Sequence, residues 1–287
     1  MIDNALEEIQ NRALFVINHS GGKDSQAMMI KLLEFIPKEQ ILVVHASLGD
    51  MEWHGALELA QQQALDAGVP FIVARSWKSL IDMTIHRFDV RPEVPSFPSS
   101  ANRQCTSDLK RDPIKREVRR FAKKHGFTHI VNCMGLRAQE SSKRAKKEVW
   151  KINKSEHGRA GRSWFEWLPI HALRTDEVFQ TIHDAGQQPH YAYAQGNERL
   201  SCVFCIMASA NDLMHGMQKR PELYALYCMI EKITGYSMHM SMKVLPEITG
   251  IQPDYSLLAF TNYQEIVSRA AAVRSKRNRI ELLEIAA

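Results

Sequence analysis

The sequence predicts an α/β protein built on a parallel sheet, with a smaller helical extension at its C-terminal end. Over much of the 287-residue chain, short continuously apolar segments alternate with helical ones. Strands that are buried on both faces have this apolar character, and crossover helices join them. Beyond Pro189 no segment has the character of a core strand. We therefore predict two domains, residues 1–190 and residues 191–287.

The predicted elements follow one another in a regular order. A short helix over residues 3–11 precedes the strand ALFVINHS, and a helix with an apolar stripe then runs from Asp24 to about Phe35. Residues 150–167 interrupt the rhythm with polar, basic and glycine residues, and the pattern is helical from Thr175 onward. The elements in between are the strand QILVVHAS, a helix over 53–66, the strand PFIVAR, a helix near Leu80, a loop containing Pro92, Pro95 and Pro98, a basic helix over 107–125 and the strand THIVNCMG.

Composition favours an ordinary globular protein. The chain is 45% hydrophobic and 24% charged, which is typical of soluble domains. No apolar run approaches the roughly 18 residues that a membrane-spanning helix needs. The N-terminal stretch MIDNALEEIQ is acidic and amphipathic, unlike a secretory signal. We therefore expect a cytoplasmic protein without membrane contact; the oligomeric state is left open.

The five cysteines favour reduced thiols, a metal or cluster site, or sulfur chemistry over a disulfide framework, because their number is odd and the chain is long. Cys202 and Cys205, in the stretch CVFC, can hold a metal or cluster iron, or alternate between dithiol and disulfide. Cys105 lies between two cations, which favour its thiolate. Cys133 and Cys228 are predicted to be core residues, with either one as an alternative fourth ligand.

Positive charge is concentrated in residues 103–162, which hold 18 of the 37 Lys and Arg and six acidic residues, a net +12 against −7 for the rest. Such asymmetry indicates a polyanionic partner, although a solvated helix face is the alternative. Trp150, Trp164 and Trp167 lie in or beside this basic stretch, so we expect it to grip a nucleic-acid backbone and stack on an exposed base.

The stretch HSGGKDS, residues 19–25, follows the first strand and opens a helix. Its glycines let the backbone approach phosphate oxygens, and the helix N-terminus directs amide N–H groups at them. Lys23 adds a mobile cation, and the hydroxyls of Ser20 and Ser25 are further donors. Asp24 can cap the helix and help to hold a divalent metal. Because Asp24 stands where the common P-loop has Ser or Thr, this is a different kind of phosphate site.

SGGKDS resembles the PP-loop of the ATP pyrophosphatases, a family that includes phosphoadenosine phosphosulfate (PAPS) reductases, tRNA thiolases and DNA phosphorothioation sulfurtransferases. The resemblance implies an adenine-nucleotide α-hydrolase fold. In members that use ATP, it also implies cleavage between the α and β phosphates with release of pyrophosphate. Mg²⁺ would accompany the ATP.

Four further stretches resemble the PAPS reductase-like branch of this family: HASLGDMEW (45–53), RQCTSDLKRDP (103–113), GLRAQESSKRA (135–145) and RLSCVFCIM (199–207). Ser47 replaces the usual Asp of the first stretch, so Asp50 or Glu52 would have to supply that carboxylate. The resemblance implies nucleotide contacts from Ser20, Gly21, Gly22, Lys23, Asp24, Ser25, His45, Ser47, Gly135, Arg137 and Arg144, and catalytic roles for Lys23, Asp24, Cys105, Cys202 and Cys205.

Within that family the sequence favours an ATP-dependent sulfurtransferase acting on nucleic acid. PAPS reductases carry a nucleophilic cysteine in a C-terminal segment, and this chain has no cysteine after Cys228. The motifs are closest to the DNA phosphorothioation enzymes of the DndC and SspD type, so DNA is favoured over tRNA as substrate. A cysteine desulfurase is the expected sulfur donor. A [4Fe-4S] cluster or a zinc ion on Cys105, Cys202 and Cys205 competes with a persulfide relay, and a non-enzymatic nucleotide-sensing module is the remaining alternative.

Overall fold

A computed structural model describes residues 2–285 of the chain, with side chains described as far as residue 277. Its centre is a six-stranded sheet with the order β3-β2-β1-β4-β6-β5, in which only β5 runs antiparallel to its neighbour. The predicted parallel α/β fold with C-terminal helices is confirmed. The strands are β1 (Leu14–Asn18), β2 (Ile41–Ser47), β3 (Phe71–Arg75), β4 (His129–Met134), β5 (Trp150–Ile152) and β6 (Ser163–Trp167).

Thirteen α-helical segments lie within the described residues, and none of them is both long and apolar enough to cross a membrane. Five of them come at or after Tyr191, where the sequence pattern is helical. They are α1 (Ile2–Gln10), α2 (Lys23–Leu33), α3 (Ala56–Ala67), α4 (Leu80–Val90), α5 (Gln104–Thr106), α6 (Asp112–His125), α7 (Ser142–Ala145), α8 (Thr175–Asp184), α9 (Tyr191–Ala194), α10 (Ala210–Lys219), α11 (Pro221–Thr234), α12 (Leu245–Thr249) and α13 (Tyr263–Ile285).

The chain divides into two compact units. The first contains the sheet and consists of the chain up to Ser47, His54–Arg75 and Lys110–Tyr191. The second is helical and consists of Leu48–Trp53, Ser76–Leu109 and the chain from Ala192 onward. The predicted division of the chain at residue 190 remains a prediction. The second unit contains two segments that come before this position.

Both faces of the sheet are covered, as the continuous apolar strands predict. Along β1, Phe15 and Ile17 face a cluster that contains Met28 and Leu32 of α2. The alternate residues Leu14 and Val16 face a second cluster. That cluster also contains Val118 and Ala122 of α6, and Trp164 of β6. Successive side chains of a strand point to opposite faces, so a strand covered on both sides has no polar face.

Local backbone chemistry explains two differences at helix ends. The helix expected over residues 53–66 begins only at Ala56, because Gly55 adopts a left-handed conformation (φ 86°) that no helix continues through. The basic helix expected over 107–125 is split. A wider π-type turn over Ser107–Arg111 precedes α6, which restarts with Pro113 in its first turn, where the missing N–H costs no hydrogen bond.

Residues 150–167 do not merely interrupt the fold, as the sequence suggested, but contain two strands. The segment of β6 pairs in parallel with β4 through the whole of Ser163–Trp167, and β5 adds an antiparallel edge. The signal lay in the aromatic residues, which favour strands. Glycines and cations of the connecting turn, including Gly158 and Gly161 with positive φ, obscured it.

The expectation that Trp150, Trp164 and Trp167 stack on a nucleic-acid base is wrong for two of the three. Trp164 and Trp167 are 1% and 5% exposed and belong to the two cores on either side of the sheet. Trp150 is half-buried and packs on Phe165 and Trp167. An exposed tryptophan lies elsewhere, since Trp77 of the second unit is 88% exposed.

Replacing Trp164 with Ala should therefore lower the free energy of unfolding by about 3–5 kcal/mol, as expected for the loss of a large buried ring. Trp77→Ala is the matched control and should change stability by less than about 0.5 kcal/mol, because its ring is largely in water. Urea unfolding monitored by far-UV circular dichroism measures both. Equal stabilities for the two variants would contradict the placement of Trp164 in the core.

Candidate functional sites

The first candidate site lies where the strand order of the sheet reverses. β1 and β4 are parallel neighbours, so the loops that follow them emerge at the same edge of the sheet. Open α/β sheets bind their ligands at this edge, beside the point of reversal. The loop after β1 is the glycine-rich stretch 19–22, and the loop after β4 begins with Gly135 and Arg137. The topology thus brings together two sequence motifs that are more than a hundred residues apart.

Gly21 has no room for a side chain. Its φ of 74° lies in the left-handed region, and an added Cβ would come within 2.4 Å of the Ala56 carbonyl oxygen at the start of α3. The loop therefore needs glycine for both its conformation and its packing. Gly22 is the N-cap of α2 and has no side chain with which to cap the first amides of the helix. A helix N-terminus without a side-chain cap leaves amide N–H groups that can bind an anion.

The two serines of the loop shape it rather than simply line it. The Ser25 hydroxyl donates to the Gly22 carbonyl oxygen at 2.8 Å and accepts the Ser20 N–H at 3.1 Å. The two hydroxyl oxygens are 3.3 Å apart. Because its proton is used on Gly22, Ser25 in this structure holds the turn closed, and the Ser20 hydroxyl is the donor in the contact between the two serines.

Asp24 joins the two loops through charge. Its Oδ1 accepts from Nε of Arg137 at 2.5 Å, and its Oδ2 lies 3.3 Å from Nζ of Lys23. Arg137 is 3% exposed and also donates to the side chain of Gln139 and to the Leu173 carbonyl oxygen. Both oxygens of the carboxylate thus face cations, and Asp24 would have to release one of them to hold Mg²⁺. The predicted metal role of Asp24 remains a prediction.

Gly135 packs directly on the start of α2. A Cβ at this position would lie 3.0 Å from the Asp24 carbonyl carbon and oxygen, and 3.1 Å from the Ser25 nitrogen. A glycine is therefore required for the loop after β4 to approach the phosphate loop. Its role in the site is close packing of backbone on backbone.

Two buried histidines form hydrogen bonds with the backbone of the phosphate loop. Nδ1 of His19 accepts the Gly21 N–H at 3.1 Å, and Nδ1 of His45 lies 2.9 Å from the His19 carbonyl oxygen. Burial lowers the pKa of His19 to about 4; the Gln63 side chain opposes this shift and His45 adds to it. His19 is therefore neutral at physiological pH, with its proton on Nε2, because Nδ1 is an acceptor. The sequence analysis included His45 but overlooked His19.

The remaining predicted nucleotide contacts lie at the edge of this arrangement. Ser47 is the buried last residue of β2. Arg144, in α7, forms an ion pair with Glu140. Glu140 also accepts the Arg137 backbone N–H at 2.8 Å, which closes the loop after β4. Nucleotide contacts from Ser47 and Arg144 remain predictions.

The second candidate site lies in the second unit and collects the three predicted cysteines. Cys202 forms an isolated antiparallel bridge with Glu52, and the Val203 N–H donates to the Met51 carbonyl oxygen at 3.0 Å. Cys105 and Cys205 pack against the same apolar core. The segment around Met51 thus supports the CVFC turn within this unit.

A buried tyrosine belongs to the same apolar core as Cys105 and Cys205. Tyr227 of α11 is fully buried, and its ring lies 5.3 Å from the ring of Phe204, between the two cysteines of CVFC. Burial first, and then the negative charge of thiolates at Cys202, Cys205 and Cys105, raise the pKa of Tyr227 well above its ordinary value. No sequence motif pointed to Tyr227, because it lies in a continuously apolar stretch of α11, residues 223–230.

The other two cysteines are core residues, as predicted. Cys133 is fully buried in β4, and burial raises its pKa far above the ordinary value. Cys228 is 3% exposed, and burial raises its pKa to about 12, with the Glu231 carboxylate adding to the shift. All five cysteines lie among the described residues, and none forms a disulfide.

The three cysteines predicted to bind a metal do not form a metal site in this structure. Among the side chains that the structure describes, no three His, Cys, Asp or Glu are arranged to hold a metal ion. Cys105, Cys202 and Cys205 share one neighbourhood without converging as ligands of one ion. The predicted cluster or zinc ion therefore remains a prediction, and the cysteines are free thiols in this structure.

Two buried ionisable residues form hydrogen bonds with backbone groups in the unit that contains these cysteines. Arg220 is 5% exposed and donates to the carbonyl oxygens of Asp50 and Glu52, at 3.2 and 3.3 Å. Glu231 accepts the backbone N–H groups of Met238 and Leu245, and burial raises its pKa to about 7. Arg220 fixes the strand partner of Cys202, and Glu231 fixes the turn after α11.

Residues 15–208 match the model of the phosphoadenosine phosphosulfate reductase domain family. A curated relative, an uncharacterized 37.8 kDa protein of Escherichia phage 186, is 28% identical over 139 residues, or 48% of this chain. The chain matches about 40% of that relative's length.

Solved structures with weaker similarity include two of sulfur metabolism. A PAPS reductase from Candida auris in complex with phosphate is 12% identical over 66% of this chain and 80% of its own, with a TM-score of 0.43. The U34-tRNA thiolase NcsA from Methanococcus maripaludis, with its [4Fe-4S] cluster, is 12% identical over 90% of this chain and 73% of its own, with a TM-score of 0.42.

Gly21→Ala should destabilise the protein by about 3 kcal/mol or more and abolish nucleotide binding, because the Ala56 backbone would have to move. Gly68→Ala is the matched control. Its φ of 67° is similar, yet an added Cβ there meets open space, so it should cost only about 1–2 kcal/mol. Urea unfolding and ATP binding by calorimetry measure the two effects. Similar losses in both variants would show that packing on α3 is unimportant.

Stability should fall as pH drops through the titration of His19. Its folded pKa of about 4 lies below the ordinary 6.5, so the unfolded chain binds the proton more readily between these values. The loss should be on the order of 3 kcal/mol between pH 6.5 and pH 4. His19→Asn keeps an acceptor for Gly21 and should remove this part of the pH dependence. Identical pH profiles of unfolding free energy for variant and wild type would contradict the assignment.

Proposed function

Because this chain belongs to the phosphoadenosine phosphosulfate reductase domain family, we propose that it cleaves ATP to AMP and pyrophosphate and couples this to sulfur transfer onto nucleic acid. The DNA backbone is the favoured acceptor, and tRNA is the alternative. The observation that carries the proposal is the Lys23–Asp24–Arg137 arrangement at the open N-terminus of α2. Family members act on adenine nucleotides. The positive charge of this arrangement can stabilise the negative charge of a departing pyrophosphate.

The net charge of the phosphate loop favours binding of a polyanion. One carboxylate between two cations leaves a net charge of about +1, next to the amides at the N-terminus of α2. Lys23 is 4% exposed, so its ammonium acts in a largely dehydrated environment, where charge-assisted bonds to phosphate are strong. An acceptor oxygen attacks the α-phosphorus, the bond from that phosphorus to the α–β bridging oxygen breaks, and pyrophosphate leaves onto these groups.

The free cysteines of the second unit support the sulfur half of the reaction. A persulfide on one of them, loaded by a cysteine desulfurase, attacks the adenylylated phosphorus through its terminal sulfur, and AMP leaves with the displaced oxygen. A second thiolate then attacks the protein-bound sulfur of the persulfide. This releases the phosphorothioate and leaves a protein disulfide, which an external thiol reduces. Two neighbouring cysteines, such as Cys202 and Cys205, meet this requirement.

Exposed cations support nucleic acid as the acceptor. Lys143, Lys146 and Lys147 are exposed around α7, just beyond the loop that carries Arg137. Part of the remaining basic stretch is engaged internally, because the buried Glu156 forms ion pairs with three cations of the first unit. These are Lys115, Arg119 and Arg162. The surface available to a phosphate backbone is therefore narrower than the sequence suggested.

An ATP turnover assay tests the proposal. Wild type should form AMP and pyrophosphate, and Lys23→Ala should lower the rate roughly 10- to 100-fold, because a desolvated charge-assisted contact is lost. Lys232→Ala is the matched control. Nζ of Lys23 lies 5.9 Å from the centre of the Phe179 ring, and Nζ of Lys232 in the second unit lies 5.7 Å from that of Tyr255. ADP and phosphate as main products would contradict the proposal. Parallel reactions with DNA, tRNA and no acceptor, analysed by mass spectrometry for incorporated sulfur, identify the acceptor.

A further inference from the structure

The connection between β5 and β6 gathers positive charge around one buried carboxylate. Glu156 is 4% exposed, and three cations of the first unit lie within ion-pair distance of it. Nη1 of Arg119 lies 3.1 Å from its Oε1, Nζ of Lys115 lies 3.5 Å from the same oxygen, and Nη2 of Arg162 lies 3.9 Å from Oε2. We call these four residues the Glu156 cluster. Three positive charges against one negative charge leave the cluster at +2.

Much of this charge lies away from water. The side chains of Lys115 and Arg162 are only 14% and 19% exposed. Nζ of Lys115 donates to the Ser155 hydroxyl at 2.7 Å, which satisfies one donor without adding negative charge. The separation of 3.9 Å between Arg162 and Glu156 is too long for a hydrogen bond. Because unbalanced charge is costly in dehydrated surroundings, a second anion at this cluster would stabilise the protein.

Two buried N–H donors beside the cluster have no acceptor. Among the side chains that the structure describes, neither Nε of Arg162 nor Nε1 of Trp164 has a hydrogen-bond partner. Arg162 has extended backbone and directly precedes β6, so these two residues point to the same face of the sheet. That face is covered by α6, because Trp164 packs in one cluster with Val118. Buried donors are normally satisfied, so this face lacks acceptors as well as negative charge.

The cluster reaches the surface through Arg119 and the connecting loop. The side chain of Arg119 is 40% exposed, and Lys154 and Arg159 of the loop are exposed. The loop backbone is held in an unfavourable shape, since Ala160 has a φ of 51° in the left-handed region. An anion can therefore approach from solvent and meet guanidinium and ammonium groups on a fixed loop.

This cluster is separate from the first candidate site. The connecting loop enters β6 at Ser163, which pairs with His129 at the start of β4. The phosphate loop follows the end of β1, which runs parallel to β4. The two loops therefore lie at opposite edges of the sheet, separated by a strand of roughly 17–20 Å. A group bound at the Glu156 cluster is not the nucleotide of the phosphate loop.

We propose that the Glu156 cluster binds a phosphate group of a nucleic-acid backbone through Arg119 and the exposed cations of the connecting loop. The inference rests on the proposed function in taking nucleic acid as the partner, and it adds a contact at the opposite edge of the sheet from the phosphate loop. A backbone phosphate supplies both the negative charge and the oxygen acceptors that the cluster lacks. Guanidinium groups bind such oxygens in a fixed, planar geometry.

Binding of a short DNA duplex to the full-length protein, without ATP and over a range of salt concentrations, tests the inference. Arg119→Gln removes one cation of the cluster and keeps a polar side chain. The affinity measured by fluorescence anisotropy at low salt should fall roughly 3- to 10-fold. The slope of log affinity against log salt concentration should become shallower by about 0.9, the value for one phosphate contact. An unchanged affinity and slope would overturn the proposal.

Arg120→Gln is the matched control. It makes the same change of charge at the next position of α6, on a side chain that is 69% exposed and paired with Glu117 at 3.1 Å. It should change the affinity by less than about 2-fold, because an exposed and screened ion pair contributes little. Equal losses in the two variants would show that only the overall positive charge matters, and the proposal would fail.

Glu156→Gln gives an independent answer with the opposite sign. It removes the negative charge from the cluster, so DNA affinity should rise and the salt slope should become steeper, even though the variant loses stability. Weaker binding by a variant that circular dichroism shows to be folded would contradict the proposal. If it does not fold, the comparison of Arg119→Gln with Arg120→Gln still decides.

Inorganic phosphate separates a free anion from a backbone phosphate. If it raises the unfolding temperature of wild type more than that of Arg119→Gln while both bind DNA equally, the cluster takes a free anion and the proposed backbone contact is wrong. ATP is absent from all of these measurements. Failure of the proposed turnover reaction and failure of this contact are therefore told apart.

Discussion

The carboxylate of Asp24, placed between Lys23 and Arg137, is the interaction on which the first site depends. Arg137 is almost completely buried, and a buried guanidinium without a carboxylate would cost several kcal/mol. The pair therefore fixes the loop after β4 against the start of α2, and Gly135 provides the closeness that this needs. Lys23 is positioned through the same carboxylate. Loop packing and the junction of two neighbouring strands thus share a single acidic side chain, in the loop that is predicted to bind phosphate.

The local part of this site could be predicted from the sequence. Glycines, lysine and aspartate within seven residues after an apolar strand specify a backbone turn and a helix N-terminus, and the structure contains both. The partnership of Asp24 with Arg137 could be expected only in outline. It depends on which strands are neighbours, and parallel order is set by packing across the whole sheet. His19 was overlooked because its role comes from burial and from an accepted Gly21 N–H.

Aromatic residues marked the limit of prediction from the sequence. Tryptophans in a basic stretch fit a nucleic-acid surface and a sheet core equally well, and only the pairing of β6 with β4 decides that Trp164 is inside. Tyr227 posed the reverse problem. In an apolar stretch its ring predicts core, which is correct, but the direction of its hydroxyl toward Sδ of Met51 follows from the fold of the second unit. Side-chain direction within a core is tertiary information that periodicity does not contain.

The division of the chain has a consequence for how this protein could have been assembled. The second unit is built from Leu48–Trp53, Ser76–Leu109 and the chain from Ala192 onward, and Arg220 and Cys202 are bound to the first of these pieces. A gene segment encoding the C-terminal third alone would lack Met51, Cys105 and the partners of Arg220. The cysteine-containing unit is therefore not a segment that recombination could add to or remove from the sheet-containing unit in one piece. Because segments of the two units alternate along the chain, the two units must be inherited together.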